Sequence, residues 1–448
     1  MNEDGTSRRS WLVACGSAGV VGLAGCMRTI LEEDLGDEGG DGGLAGAEAG
    51  DGENGDDGSA DGDTDGEEPE DVDDRSIRYG ILWPESGPTA EFFSPIADAA
   101  ALPTVQFDAA GTPLSVETTR ADTGGSPERA AGIAEELVAD GVPSLTGVVE
   151  PDVAVAVAES VAVSESVPFL STAGATAELT DLGGEYALRT DPGLGPQGTV
   201  MADLADERGW ETASILHPTG DSLRELASGF RRRLETLGGE VLTETAVEGG
   251  RPSPEILEMV HENEPDVLLA AVFPPPEAVE FLTTIYESLG ELPTIVPEWL
   301  VGELPEEFGR SVDSLVGVAP ATGSGFDSFA ELHATEYGAD REDLDVWHAR
   351  AYDASAVQVL ANARAGEDDG SAVAGRIREV TEPGGETVDP SSLVEGAELA
   401  AAGEDVEYRG ASGPVEFDAD GDLSVASYDV HEFVASGTEV VDSVEYEA

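Results

Sequence analysis

Downstream of residue 75, the hydrophobic positions alternate between two spacings. Ile77 to Trp83 (IRYGILW) is a continuous apolar run and predicts a buried strand that ends in a turn rich in Pro and Gly. Ser126-Pro127 supplies an N-cap hydroxyl and a proline at the first helical position. Ala130, Ile133, Ala134, Leu137 and Val138 then recur on one helical face, and Asp140-Gly141 stops the helix. Ser144 to Val149 and Val167 to Ser171 predict short strands around an Ala/Val-rich helix over 153–163. A second series repeats the pattern. Ala213 to His217 predicts a strand, and Leu223, Leu226, Ala227, Phe230, Leu234 and Leu237 form the stripe of a helix closed by Gly238-Gly239. Strands at 241–247 and 266–272 and helices at 254–263 and 276–289 follow. A further apolar helix, Trp347 to Ala363, comes after that series. Strands alternating with helices of about 10–15 residues predict an α/β fold with parallel sheets covered on both faces. The break at Asp191–Gly198 (DPGLGPQG) divides the series into two doubly wound lobes, and the late helix implies more than one crossing between them.

The first 75 residues follow neither spacing. Arg8 and Arg9 precede Ser10-Trp11-Leu12, then an apolar, small-residue run from Val13 to Ala24, then Gly25-Cys26. The run is too short to span about 30 Å of hydrocarbon. It resembles a twin-arginine export signal ending in a lipobox, with Trp11 where Phe is usual. That resemblance implies cleavage before Cys26 and lipidation of Cys26, with Cys15 lost in the signal. Residues 27–74 hold 20 Asp or Glu, 12 Gly and one Arg. Such a stretch buries too little to offset the entropy of ordering, so 27–75 is expected to be a disordered, extended tether. Its irregular Asp-Gly spacing does not fit a calcium-binding repeat.

Composition narrows the function classes. The 448 residues carry 94 Asp+Glu against 21 Lys+Arg, every cation is Arg, and the net charge is −73. Nucleic acid and anionic lipid repel such a surface. Without lysine there is no P-loop or Schiff-base chemistry, and two cysteines build neither a four-thiolate zinc site nor a disulfide framework. Acids spread along the whole chain resemble the proteins of salt-in halophiles of the haloarchaeal type. Molar salt shrinks the screening length to about 3 Å and removes most of the self-repulsion.

The order of motifs resembles the type I periplasmic-binding-protein fold, in particular the branched-chain amino-acid-binding lipoproteins of ABC transporters. The matching segments are IRYGILWPESGP (77–88), ADTGGSPERAAGIAEELVADGV (121–142), SVPFLSTAGATAELT (166–180) and YALRTDPGLGPQG (186–198). They continue with TASILHPTGDSLRELASGFRRRLETLGGEV (212–241), PDVLLAAVFPPPEAVEFL (265–282), HARAYDASAVQVLANA (348–363) and GASGPVEFDADGDL (410–423). The resemblance implies two lobes joined by three hinge crossings, near 191, 320 and 403–410. Lobe one would be 76–191 with 321–402, and lobe two 192–320 with 403–448. It also implies a receptor, lipid-anchored on the outer face of the cytoplasmic membrane, that closes on an amino acid or related small polar molecule and hands it to an ABC permease. The same clam-shell could instead serve as a sensory module signalling to a membrane transducer. No cofactor is expected, and no nucleic acid.

Carried over residue by residue, the resemblance assigns the lobe-one carboxylate loop to Ser171, Thr172, Ala173, Gly174, Ala175 and Thr176, with Ala173 as a backbone donor. The family's threonine hydroxyl falls on Ala175. The other lobe-one loop reads Glu150-Pro151-Asp152 where the family presents hydroxyls, and Asp152 beside a ligand carboxylate would repel it. Phe92 matches a covering aromatic. In lobe two Glu298 falls on the acid that binds an ammonium group. The family's tyrosines fall on Ser222 and on Val272 or Phe273, with Trp299 as a substitute wall. Asp152 and Glu298, with no arginine placed nearby, favour a cationic or amide-type ligand.

Gly193-x-Gly195-x-x-Gly198 matches a dinucleotide fingerprint, although Pro192 and Pro196 disturb its turn. No GxSxG, HExxH or Cys-His pair occurs, and His217, His261, His333, His348 and His431 share no ligand motif. The expectation is a non-enzyme without a metal site.

Overall fold

A computed structural model describes residues 75–172, 177–219, 221–248, 251–271, 277–298, 301, 314–434 and 437–448; within these, the side chains of Phe92, Ala177, Asp221, Ser222, Glu277 and Ala278 are excepted. The export signal, Cys26 and the tether lie outside the described residues.

The first layer system alternates β1 (Ser76–Trp83), α1 (Ala97–Ala110), β2 (Ser115–Asp122), α2 (Pro127–Ala139), β3 (Leu145–Gly147), α3 (Pro151–Val157), β4 (Phe169–Ser171), α4 (Ala177–Leu182) and β5 (Ala187–Arg189). Its strands form a parallel sheet in the order β2-β1-β3-β4-β5. The expected cap is real: Arg129 N donates to Ser126 Oγ at 3.4 Å. Strand β2 (SVETTRAD) has no apolar run, because it is an edge strand on which only Val116 is buried. That is why periodicity did not announce it.

The second system runs α5 (Leu194–Glu207), β6 (Thr212–Pro218), α6 (Asp221–Leu237), β7 (Glu240–Val247), α7 (Pro254–Asn263), β8 (Val267–Ala270), α8 (Glu277–Leu289), β9 (Thr294–Pro297) and β10 (Leu315–Pro320). The chain then returns through α9 (Phe326–Tyr337), α10 (Val346–Ala365), α11 (Gly370–Thr381), β11 (Glu386–Val388), α12 (Leu393–Ala401) and β12 (Val406–Tyr408), and ends in β13 (Val425–Val434) and β14 (Gly437–Glu447). The second sheet has the order β14-β13-β10-β9-β8-β6-β7. Its inner strands are parallel, while β13 is antiparallel to both β10 and β14.

Each sheet is covered on both faces. Ile77, Tyr79, Ile81 and Trp83 of β1 point to the α1/α10 side, and Leu82 points to the α2/α3 side. Ile215 and Leu269 face α5 and α6, while Leu216 and Leu268 face the opposite side. The alternation is the strand period of two seen on buried strands. Helix α10 is buried over nearly its whole length, as a helix enclosed by other elements must be.

The third crossing differs from the expectation. Tyr408, Ala411, Val415, Phe417 and Leu423 belong to the same core cluster as β1 and α10. The carboxylate of Asp353 on α10 holds this segment. Its Oδ1 accepts from Tyr408 Oη at 2.7 Å and Ala411 N at 2.8 Å, and its Oδ2 accepts from Ser412 N at 2.7 Å and Ser412 Oγ at 2.5 Å. Residues 403–410 therefore lie within the first layer system, and the chain passes to the second sheet between Leu423 and Val425.

Candidate functional site

Both sheets share one winding. In the order β2-β1-β3-β4-β5, the chain reverses direction between β1 and β3, and the second sheet does the same between β6 and β8. Ligands of open α/β sheets bind beyond the carboxyl ends of the strands at this switch point. The connections there are 84–89 and 148–150 in the first sheet, and those that follow β6 and β8 in the second. Among the residues assigned from sequence, Ala173, Gly174, Ala175, Thr176, Phe273 and Trp299 lie outside the described residues, as do the side chains of Phe92 and Ser222.

At the first switch point, Asp122 organises the loop after β1. Its Oδ1 accepts from Glu85 N, Ser86 N and Gly124 N, and its Oδ2 accepts from Ser86 Oγ at 2.6 Å. Beyond β3, Val148 has φ 47°, which is costly for a β-branched residue and is the kind of strain that collects at functional sites. Glu150 stands at the N-cap position of α3, with no capping hydrogen bond from its side chain, and is 2% exposed. Its Oε1 accepts from Thr89 Oγ1 at 2.6 Å, while Oε2 is buried without a hydrogen-bond partner among the described residues. Burial pushes its carboxyl up, against the pull of the Thr89 hydrogen bond. Asp152, by contrast, is exposed, with Oδ1 accepting from Val153 N at 3.0 Å. The buried acid of this loop is thus Glu150. Ser171 and Thr172 are buried at the end of β4, and Thr172 Oγ1 donates to the Val148 carbonyl at 3.1 Å, bracing the strained residue.

Helix α10 runs antiparallel to the first sheet's strands. Its far end reaches the start of β3, where Gln358 Nε2 donates to the Leu145 carbonyl, and its N-terminus reaches the carboxyl ends. There Phe93 and Trp347 pack with ring centroids 6.4 Å apart, and Trp83 Nε1 donates to the Phe93 carbonyl at 2.7 Å. The Arg350 guanidinium lies 5.5 Å over the Trp347 ring. Arg350 Nη1 also donates to Asp191 Oδ2 at 2.6 Å.

The second sheet answers with Gln197 and Glu298. Gln197 Nε2 donates to Glu298 Oε2 at 2.5 Å and to the Val318 carbonyl at 2.8 Å. Burial pushes the Glu298 carboxyl up, and Gln197 and Arg350 act against the shift. The Tyr428 hydroxyl lies in the same field, acted on by Arg350, Asp191 and Glu298. The expectation of no arginine near Glu298 is therefore overturned, because α10 delivers Arg350. Polar residues recurring inside an otherwise apolar helix (Arg350, Asp353, Gln358, Asn362) were the available signal, since such residues are seldom buried unpaired.

Gly195 and Gly198 have a packing role. A Cβ on Gly198 would strike the Leu226 carbonyl, and one on Gly229 the Gly195 carbonyl, so these glycines let α5 and α6 touch backbone to backbone. Among the described residues no group of three or more His, Cys, Asp and Glu is placed to hold a metal, and no helix is long and apolar enough to cross a membrane.

The profile described as "Periplasmic binding protein" matches residues 76–431. The chain belongs to the periplasmic binding protein family. Its paired sheets are those of the type I members, the group that includes branched-chain amino acid binding proteins. A substrate-binding protein of a chemotactic signal transduction system, BasB of Halobacterium salinarum, is 26% identical over 314 residues, covering 66% of this chain and 72% of its own. A Leu/Ile/Val-binding protein homologue of Brucella melitensis is 29% identical over 170 residues, covering 36% of this chain and 45% of its own. Among solved structures, a branched-chain amino acid ABC transporter protein of Rhodospirillum rubrum aligns with TM-score 0.64 at 19% identity, covering 82% of this chain and 100% of its own. A 4-hydroxybenzoate complex of a solute-binding protein from R. palustris aligns with TM-score 0.62 at 17% identity, covering 84% and 98%. These relatives are solute-binding proteins, not enzymes.

Proposed function

We propose that this periplasmic binding protein is an exported, lipid-anchored receptor that closes two lobes on an amino acid or related small polar molecule and delivers it to an ABC permease. The observation that carries this reading is the meeting of polar groups from both sheets. Arg350 pairs with Asp191 at the first crossing, Gln197 pairs with Glu298 at the end of β9, and the charges of Arg350 and Asp191 act on the Glu298 carboxyl. In this reading the lobes are 76–191 with 321–423 and 192–320 with 424–448, and the three crossings act as hinges. Arg8 and Arg9 direct export, Cys26 carries the lipid, and 27–75 is the tether. The test is calorimetry in molar salt against a panel of amino acids, amides and amines. Absence of binding across the panel would remove the reading. For the anchor, Cys26→Ser should release the protein from the membrane.

A second reading rests on the relation to BasB. In it the same closed form signals to a membrane transducer instead of feeding a permease. Co-purification from native membranes decides between them: a permease supports import, and a transducer supports sensing.

A further inference from the structure

The first crossing runs from β5 through Thr190-Asp191-Pro192-Gly193 into α5. Its root in the first sheet is Arg189, which is 4% exposed. Arg189 Nε lies 2.6 Å from Asp422 Oδ1, and Nη2 donates to Asp422 Oδ2 at 2.9 Å and to Thr180 Oγ1 at 3.0 Å. Asp422 directly precedes Leu423 at the third crossing, so Arg189 ties two crossings together on the first-sheet side. The second crossing is tied to the third by Ala321 N, which donates to the Ser427 carbonyl at 2.8 Å. Between the three lies a cavity lined by Thr190, Pro192, Pro320, Ala321, Leu423 and Val425. The crossings are therefore not packed solid against one another, and a single polar contact across them can set the angle between the sheets.

One such contact reaches over from the second layer system. A Cβ on Gly193 would stand 3.4 Å from Arg189 Nη2 and 3.5 Å from Glu225 Oε1, and one on Gly195 would stand 3.3 Å from Glu225 Oε1. The guanidinium that ends β5 and the carboxylate on α6 thus face each other across Gly193, which puts no side chain between them. Gly193 has φ 74° and ψ 176°, a region open to glycine almost alone. The Gly195 N–H donates to the Glu225 carboxylate in the first turn of α5, where negative charge is favoured. Burial pushes the Glu225 carboxyl up; Arg189 acts against that shift, Asp191 adds to it, the Gly195 N–H acts against it and Asp422 adds to it. Gly193-x-Gly195, which reads as a phosphate-binding turn, is thus filled by a carboxylate of the chain itself.

We propose that Glu225 is a positioning residue of the hinge: its carboxylate reaches Arg189 across Gly193 and holds the two layer systems at a fixed angle about the first crossing. Rotation of one lobe against the other stretches this contact, so it sets the arrangement in which the unliganded protein rests. Neither a ligand nor a permease enters the contact. Its failure leaves the receptor reading standing, and calorimetric silence leaves the contact standing.

Hydrogen exchange of the full chain in molar salt, read by mass spectrometry, tests it. Glu225→Gln keeps an acceptor for the Gly195 N–H and removes the charge. It should speed exchange about fivefold in the peptides over 190–195 and 319–323, the scale of one partly buried ion pair, and leave β1 and β6 unchanged. A mere cap on α5 would move only the start of that helix, so unchanged exchange over 319–323 would overturn the proposal. Equal acceleration in β1 and β6 would mean general loosening and would overturn it as well. Arg189→Met supplies the second arm. In that background Glu225→Gln should add nothing further; a full effect there would mean that the carboxylate acts on a group other than Arg189, and the proposal would fall.

Discussion

Arg350 Nη1 and Asp191 Oδ2 lie 2.6 Å apart, with side chains only 5% and 9% exposed. The pair joins helix α10 of the first layer system to the segment that leads into the second. Asp191 also anchors that segment locally, since its Oδ1 accepts from Gly193 N at 2.7 Å.

Removing one partner of such a pair strands the other. Arg350→Met should lower stability by about 3–5 kcal/mol, because Asp191 becomes an uncompensated buried charge. Arg350→Met with Asp191→Asn should recover much of that loss. Denaturant unfolding of the two variants in molar salt measures both effects, and a single-variant loss under about 1 kcal/mol would contradict the pairing.

Gly198→Ala puts a methyl group against the Leu226 carbonyl and within 2.8 Å of Phe230 N. Backbone cannot step aside as a side chain can, so α5 and α6 must separate. A loss of about 1–3 kcal/mol is expected, read as a lower melting temperature. A neutral Ala would mean that the two helices do not touch there.

Asp122 predicts an acid-labile loop. Burial alone would raise its pKa, but hydrogen bonds from Ser86 and Gly124 and the nearby Arg129 outweigh it and hold the group at about 2. A depressed carboxyl contributes stability that is complete above its unfolded pKa of about 3.9 and is lost as pH falls towards 2. Hydrogen exchange at Glu85 and Ser86 should therefore accelerate between about pH 4 and pH 2. Asp122→Asn should show fast exchange throughout and no added acid dependence.

His333 works over a higher range. It is buried, both ring nitrogens lack hydrogen-bond partners among the described residues, and it packs edge-on against Phe329 and His348. Burial and then His348 lower its pKa from 6.5 to about 4, and Asp98 opposes them. The folded state thus resists protonation more than the unfolded chain. Its stabilising share is complete above about pH 6.5 and drains away as pH falls towards 4. His333→Leu should flatten the melting-temperature profile across that window without lowering the value at neutral pH. An unchanged slope would assign the acid loss to other groups.

Some of this was legible in the chain and some was not. The buried strand at 77–83, the Ser126 cap and the helix stripe from Leu223 to Leu237 were readable, because each depends on residues a few positions apart. Strand β2 was not, since an edge strand needs no apolar run. Gly195 and Gly198 read as a nucleotide fingerprint, yet their use is a helix contact with residues some thirty positions later. The acid loop was found, but Asp152 was named where Glu150 is the residue buried.

The sequence by itself determined two series of strands and helices, because apolar period, caps and turn residues act locally, and the order of its motifs carried the resemblance to the periplasmic binding proteins. Only the tertiary structure decided which polar groups meet. Arg350 and Asp191 are 159 residues apart, and Gln197 and Glu298 are 101 apart. Their encounter is set by how the sheets wind and where α10 is packed, and no local spacing encodes that. The third crossing was decided in the same way: Asp353 takes up the donors of Tyr408, Ala411 and Ser412, and a buried carboxylate with several donors holds a segment more firmly than its own sequence can indicate.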